Sequence, residues 1–154
     1  VDEGICMLEF TDRHSLENQL EVLEKHFDAV LTPGKNKHFN QLAKELDEYF
    51  NGQRKSFDVA ISFPGTPFQE NVWNSLIEIP YGQTRSYKEQ SIVLKNPKAI
   101  RAIAHANGEN RISIVVPCHR IIGSDGDLVG YGGGLWRKRF LLDLENPGQT
   151  RMEF

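Results

Sequence analysis

Residues 114–123 read IVVPCHRIIG. An apolar run meets Pro117, and then a thiol, an imidazole and a guanidinium follow without a spacer, as Cys118, His119 and Arg120. Three readings of Cys118 are open: a core cysteine, a metal ligand or a nucleophile. Burial in the core is the commonest fate of a lone cysteine. Two features weigh against it. Pro117 ends strand hydrogen bonding just before the thiol, and two polar residues follow, so the position reads as the end of a buried strand. A free thiol has a pKa of about 8.5 and is mostly protonated at neutral pH. A nearby imidazole can take that proton and leave a thiolate, provided that a third group, often a carboxylate, orients the ring. Spacing does not say which carboxylate serves. The other cysteine, Cys6, is far away in the chain, and the five histidines are scattered without zinc spacing, so no metal, no CxxC redox pair and no disulfide framework are expected.

The elements that must position this triplet can be read on either side of it. GICMLEF (4–10) and FDVAISF (57–63) read as strands, and ISIVV (112–116) as a third, buried one. Leu16, Leu20, Leu23 and Phe27 form a helical stripe, and so do Phe39, Leu42, Ala43, Leu46, Tyr49 and Phe50, ended by Asn51-Gly52. PGTPF (64–68) has the composition of a hinge. The helix after it turns Val72, Trp73, Leu76 and Ile77 inward and stops at Pro80-Tyr81-Gly82. Thr84 or Ser86 caps a short helix to about Leu94. A turn at KNP leads into a helix from Pro97 to about Asn107, with the proline at a first helical position. Helix, short turn, helix is the outline of a helix-turn-helix. On the second helix Ile100, Ile103 and Ala104 share one face, Lys98, Arg101 and His105 another, and Ala99, Ala102 and Ala106 lie between. Such a helix is either an ordinary amphipathic surface helix or one that can approach a duplex closely. GSDGDLVGYGGG (123–134) is a loop with six glycines, suited to bringing backbone near a ligand, but it lacks the lysine and spacing of a P-loop. A last helix, LWRKRFLLDLE, ends before Pro147, and the tail 147–154 reads as exposed.

Composition sets outer bounds. The chain has 154 residues, 39% hydrophobic and 25% charged, the mix of a soluble globular protein of one ordinary or two small domains. No apolar run reaches the roughly 18 residues of a membrane span. The first ten residues carry three acids and no base, so no signal peptide is expected. Free thiols fit a reducing compartment, which suggests the cytoplasm. Net charge is −3, but residues 1–66 carry −5 and residues 67–154 carry +2, and the window 81–120 carries +5. That basic window is either a solvated face or the footprint of a phosphate backbone.

IVVPCHRIIG with the downstream GYGGGLWRKRFLLDLE closely resembles the O6-alkylguanine-DNA alkyltransferases, the methylated-DNA–protein-cysteine methyltransferase family. GTPFQENVWNSLIEIPYGQTRSY and NPKAIRAIAHANGEN fall in family order and at family spacing. The match is strong over about 64–145 and looser through GICMLEF and LDEYFNGQRKSFDV. The resemblance implies an α+β fold: a small N-terminal ribonuclease-H-like α/β domain (1–64), and a mostly helical, winged-helix-like C-terminal domain with a helix-turn-helix (65–154) for DNA binding and alkyl transfer. It implies a suicidal S-methyltransferase that flips an O6-alkylguanine out of duplex DNA and moves the alkyl group onto its own cysteine, with O4-alkylthymine as a second substrate. Flipping is chemically sensible, because a thiolate cannot reach O6 in line within the stack.

Roles follow from the resemblance alone. Cys118 is the alkyl acceptor, His119 deprotonates it through a water, and Glu145 orients His119. Asn110 pins the turn that carries the cysteine, and Tyr87 donates to the guanine ring. Tyr131 walls the pocket, Gly132 and its neighbours offer backbone N–H groups to O6, backbone near Cys118 and Ile121 accepts from the guanine amino group, and Ser86 belongs to the same substrate-binding set. Arg101 fills the gap left by the flipped base, with Lys98, Ala99 and Ala102 on the helix lying in the minor groove. Arg120 is assigned a structural role and Cys6 a core one. No cofactor is expected, and the partner is double-stranded DNA containing O6-alkylguanine, met by a monomer without a membrane, in the cytoplasm or at the nucleoid. The sequence departs from the family where Gly132 replaces a common serine, where Arg111 replaces a common proline, and where a strand usually precedes GICMLEF, so a smaller N-terminal sheet or a shortened chain is expected. Two other classes compete: a Cys-His-Glu thiol hydrolase that turns over, and a non-catalytic lesion binder, which the presence of Cys118 disfavours.

Overall fold

The computed structural model describes residues 1–148. In chain order the elements are α1 (Leu16–Phe27), α2 (Lys37–Phe50), α3 (Pro67–Ile77), β1 (Arg85–Ser86), α4 (Tyr87–Val93), α5 (Ile100–Gly108), β2 (Ile121–Ile122) and α6 (Leu135–Glu145). The fold is mixed α+β. Most of the expected tail falls outside the described residues; Pro147 and Gly148 are exposed.

Local chemistry accounts for the helix starts. Thr66 and Gln69 form a reciprocal capping box at the start of α3, with Pro67 at its first position. Ser86 and Glu89 do the same for α4. The PGTPF stretch is therefore a packed helix start rather than a hinge. Pro64 is buried, and a side chain at Gly65 would collide with the Trp73 ring. After α4, Leu94 to Asn96 turn the chain, Pro97–Ala99 form one 3-10 turn, and α5 follows. The helix-turn-helix outline stands in space, with α5 packed on both α3 and α4.

A buried polar cluster fixes that packing. The Gln90 amide donates to Ser75 Oγ at 3.1 Å and to Asn107 Oδ1 at 2.9 Å, and Asn107 Nδ2 donates back to Gln90 Oε1 at 2.7 Å. Three helices are locked by side chains whose every partner is internal, which gives a unique register rather than a sliding apolar contact. Trp73 adds an indole N–H bond to the Ala106 carbonyl at 2.9 Å.

Several inward assignments are corrected. Ile77, Ile100, Phe39 and Phe50 are exposed, while Ala106, expected on the small-residue surface, is buried. Ala43 is exposed, and Glu45, on the same helix face as Leu42 and Tyr49, is buried, with its carboxylate accepting the Asp58 and Val59 N–H groups. The strands are also shorter than expected. Segment 5–8 runs between 60–62 and 111–113 and makes two backbone bonds to each side: Ile5 N to Ala60 O and Ser62 N to Ile5 O, then Leu8 N to Arg111 O and Ser113 N to Leu8 O. These are isolated parallel bridges, Ile5 with Ile61 and Leu8 with Ile112, not continuous ladders. The stretch ISIVV is not a strand. Ile114 sits at φ 71°, and Val116 N bonds back to Ile112 O, so the apolar run curls into a buried turn.

One hydrophobic core runs through both halves of the chain. Ile5, Leu42 and Val59 pack in the same cluster as Val72, Trp73, Leu76, Ile103, Ile112, Val116 and Ile121. Ile121 and Ile122 pair in parallel with Arg85 and Ser86, so the residues just after Cys118 are pinned beside the start of α4.

Candidate active site

The turn that carries the cysteine is held by one side chain. Asn110 Oδ1 accepts the Ile112 N–H at 3.0 Å, and Asn110 Nδ2 donates to the Val116 carbonyl at 2.9 Å. The same amide nitrogen reaches Cys118 Sγ at 3.3 Å. An amide N–H aimed at sulfur favours the thiolate over the thiol. Burial pushes the Cys118 thiol up, while the Asn110 bond and the positive charges of Lys138 and Arg13 pull it down and Glu9 pushes it up again; the net direction is upward. A neutral thiol of this kind needs a base.

His119 lies on the other side of the same 3-10 turn and is fully buried. Its Nε2 is 2.7 Å from Glu145 Oε1. Burial pushes the Glu145 carboxyl up, but the bonds from His119 and Arg120 outweigh it and bring it to about 2. Glu145 is therefore ionised and can only accept, which places the proton on His119 Nε2 and the lone pair on Nδ1. Nδ1 has no protein partner among the described residues. Burial also pushes the imidazole below its ordinary value, against the pull of Glu145, so the ring is neutral near pH 7. A neutral imidazole with a free lone pair is a base.

Glu145 has further partners that sequence reasoning missed. Arg120 binds it with two nitrogens, Nε to Oε2 at 2.8 Å and Nη2 to Oε1 at 2.9 Å, and holds the Ile79 carbonyl with Nη1 at 2.7 Å. Tyr49 of α2 donates its hydroxyl to Oε1 at 2.7 Å. Burial, then the Glu145 charge, push the Tyr49 phenol far above its usual value, so it stays a donor. Arg120 could have been found from its place beside the histidine. Tyr49 carried no signal beyond a hydroxyl in an otherwise apolar helical stripe.

Cys118 opens into a cavity of about 110 Å³ lined by Tyr87, Ala104, Asn107, Gly108, Gly130, Tyr131 and Gly132. One wall is thus the end of α5 and the other is the Gly-rich loop. A larger hollow of about 500 Å³ lies near residues 1–7 and α1, with Cys6 in its wall, but no histidine lines it. Cys6 is half-buried there rather than in the core. Of the expected substrate-binding residues, Tyr131 and Gly132 line the Cys118 cavity. Ser86 does not; its side chain caps α4. Ile121 does not either, and its side chain is wholly buried. The Tyr87 hydroxyl donates to the Val129 carbonyl at 2.8 Å, so it holds the Gly-rich loop in place of a ligand. The Tyr131 hydroxyl is buried without a partner among the described residues, and burial, then Cys118, push its phenol well up.

Lys138 was also missed. It is fully buried on α6 and donates to the carbonyls of Val129 at 3.2 Å and Gly130 at 3.1 Å. Burial pulls its ammonium down to about 8, with the Cys118 charge opposing. It ties the Gly-rich loop to α6 from below. Arg111 is buried too and reaches the Pro64 carbonyl at 3.3 Å.

On α5 and its leading turn, Lys98, Arg101 and Ala102 are exposed and Ala99 is half-buried. His105, on the same side, pairs with Glu109. No cluster of three or more His, Cys, Asp or Glu side chains able to hold a metal occurs among the described residues. No helix among them is long and apolar enough to cross a membrane.

Fold and site together define a class: a protein that carries a half-buried thiol on an Asn-pinned turn, backs it with an imidazole and an ionised carboxylate, and opens it beside a helix-turn-helix. Comparison with known proteins gives the family. A family model described as 6-O-methylguanine DNA methyltransferase, DNA binding domain, matches residues 67–147, and one described as the ribonuclease-like domain of the same proteins matches residues 1–63. The chain belongs to the 6-O-methylguanine DNA methyltransferase family. It is 51% identical over 109 residues to a methylated-DNA–protein-cysteine methyltransferase of Methanosarcina barkeri, covering 71% of this chain and 69% of the relative. It is 43% identical over 150 residues to one of Mycobacterium bovis, covering 94% and 89%. Among solved structures it resembles Mycobacterium tuberculosis OGT in complex with DNA, with a TM-score of 0.78, 41% identity, and coverage of 94% of this chain and 81% of that one. An O6-methylguanine-DNA methyltransferase from Pyrococcus kodakaraensis matches with a TM-score of 0.68 and 28% identity over 84% and 76%.

Proposed function

We propose that this protein repairs DNA by direct reversal, taking an alkyl group from O6 of guanine onto Cys118, once per molecule. The observation that carries the reading is the shared wall. The cavity that holds the thiol is lined on one side by Ala104, Asn107 and Gly108 of the second helix of the helix-turn-helix. A duplex met by that helix is therefore next to the nucleophile, and only a base turned out of the stack enters the pocket.

The chemistry follows from the site. Neutral His119 takes the thiol proton through a water at Nδ1, and Glu145 stabilises the imidazolium that forms. Asn110 supports the thiolate while it lasts. The thiolate attacks the alkyl carbon, a C–S bond forms, and the C–O6 bond breaks with its electron pair going to the base. Tyr87 exchanges its bond to Val129 for the guanine ring and supplies a proton, which His119 replaces through solvent, so the products are a thioether and guanine. A thioether is not readily hydrolysed, and no group in the pocket is placed to restore the thiol. Tyr131 and the backbone of Gly132 shape the pocket, and Arg101, with Lys98, Ala99 and Ala102, meets the duplex. The division into 1–64 and 65–154 is supported by the two family models, which meet between 63 and 67. Because the core is continuous, the two parts act as one rigid support. The protein works as a monomer on double-stranded DNA, in the compartment that holds it.

The test is a titration of protein into an excess of duplex carrying O6-methylguanine. The expected result is one lesion repaired per protein molecule and then none. Continued turnover favours the hydrolase, and binding without loss of the lesion favours the binder.

A further inference from the structure

We propose that Arg13 is a positioning residue for the alkyl-transfer pocket, latching its two walls together and so setting the size of the alkyl group it accepts. The inference rests on the reading of that pocket given above. Arg13 lies in the loop before α1, far from the pocket in sequence, and its side chain is only 12% exposed. Its Nη2 donates to the carbonyl of Gly108 at 2.6 Å, and its Nη1 to the carbonyl of Asn110 at 3.3 Å. Gly108 ends α5 and lines one wall, and Asn110 is the residue that touches the sulfur.

The same guanidinium covers the other wall. A Cβ on Gly132 would stand 2.6 Å from Arg13 Nη1 and 2.7 Å from Nη2. A side chain at position 132 would have to displace the Arg13 guanidinium from the two carbonyls it holds. Glycine at this position and the arginine are thus two halves of one contact. Glu9 fixes the latch. Its buried carboxylate pairs with Arg13 and also accepts from Phe10 N at 2.9 Å and Ser113 Oγ at 3.1 Å. The neighbouring residues brace the same loop. Phe10 meets the Tyr131 ring edge-on at 6.3 Å, and Asp12 binds Arg137 at 2.6 Å. A planar fork that holds two carbonyls while lying flat on a glycine is a geometry lysine does not reproduce.

The experiment compares wild type, Arg13→Ala, Arg13→Lys, Gly132→Ser and the double variant Arg13→Ala/Gly132→Ser. Single-turnover rates are measured at saturating duplex carrying O6-methylguanine or O6-benzylguanine, with urea unfolding as a fold control. Misplacing a reacting group by about an ångström costs up to roughly a hundredfold in rate. Arg13→Ala and Gly132→Ser are each expected to slow methyl transfer roughly tenfold and to raise the benzyl-to-methyl rate ratio, with the half-saturating DNA concentration unchanged. Arg13→Lys is expected not to restore the ratio. The double variant is expected to be no slower than either single one, because both remove the same contact. Additive losses, or an Arg13→Ala variant with the wild-type rate and ratio, overturn the proposal. A loss of stability alone leaves the ratio unmoved and also counts against it. If wild type itself transfers no methyl group, the proposed function fails instead.

Discussion

Replacing Glu145 with glutamine removes one charge and leaves the shape, and its cost can be worked from the structure. The carboxylate accepts from His119, twice from Arg120 and once from Tyr49, all within 2.9 Å. Its carboxyl lies at about 2 against an ordinary 4.5, a difference worth about 3 kcal/mol at roughly 1.4 kcal/mol per pKa unit. Breaking a buried pair from one side costs about 3–5 kcal/mol by general experience, because the partner charge stays buried. The two figures agree. Glu145→Gln should therefore lower the unfolding free energy by about 3–5 kcal/mol, a large share of the roughly 5–15 kcal/mol of a typical domain. The same change deprives His119 of the acceptor that fixes its tautomer. General-base catalysis contributes about 10²–10⁴-fold, so the transfer rate should fall by that order. The assay is single-turnover transfer from free O6-benzylguanine in the cold, corrected for the folded fraction by urea titration. A free base avoids any effect on DNA binding. Tyr49→Phe serves as the mild companion. It removes one donor and leaves the charge paired, so it should cost about 1.5–3 kcal/mol and less than tenfold in rate. A folded Glu145→Gln protein that transfers within threefold of wild type would refute the relay.

Other outcomes follow from the same geometry. Asn110→Ala leaves the Ile112 N–H unpaired in the interior and takes from the Val116 carbonyl one of its two donors, the Cys118 N–H remaining, and should cost about 1–3 kcal/mol by chemical denaturation as well as slowing transfer. Arg101→Ala should slow repair in duplex roughly tenfold or more and leave transfer from free O6-benzylguanine unchanged, since Arg101 is exposed and outside the cavity. Transfer rate should hold steady as pH falls through 6.5 and drop only below it, because burial holds His119 under its ordinary value; a midpoint at or above 6.5 would contradict this. Glu145 has a depressed folded pKa, so its stabilisation is complete above 4.5 and is lost as pH falls toward about 2; urea midpoints should decline steeply over that window in wild type and less in Glu145→Gln.

Much of this site was legible because it is local in sequence. Cys118, His119 and Arg120 are adjacent, and the capping boxes at Thr66 and Ser86 sit three residues from their partners. Even Glu145 was reachable through the family pattern. What escaped is held by contacts across long separations. Tyr49 meets Glu145 from 96 positions away, and Arg13 meets Gly108 from 95. A tyrosine in an apolar stripe and an arginine in a polar loop look ordinary until the fold closes. The strand reading of ISIVV failed for a different reason. Composition cannot show that Asn110 ties both ends of the run and that Ile114 takes a left-handed backbone. The same tie explains why the cysteine is not at the end of a strand but on a 3-10 turn, where its sulfur faces a cavity and its neighbour faces the core. Arg120 changed most. From a residue given only a structural role it became, after His119, a second reason why Glu145 is ionised.

The central claim is that Cys118 is the atom consumed. The direct measurement is the intact mass of the protein after incubation with duplex DNA carrying O6-methylguanine, followed by peptide mapping. A gain of one methyl group in place of one hydrogen, confined to the peptide holding Cys118 and absent in Cys118→Ser, is the predicted result. An unchanged mass after the lesion has gone, or a methyl group on Cys6, would contradict it.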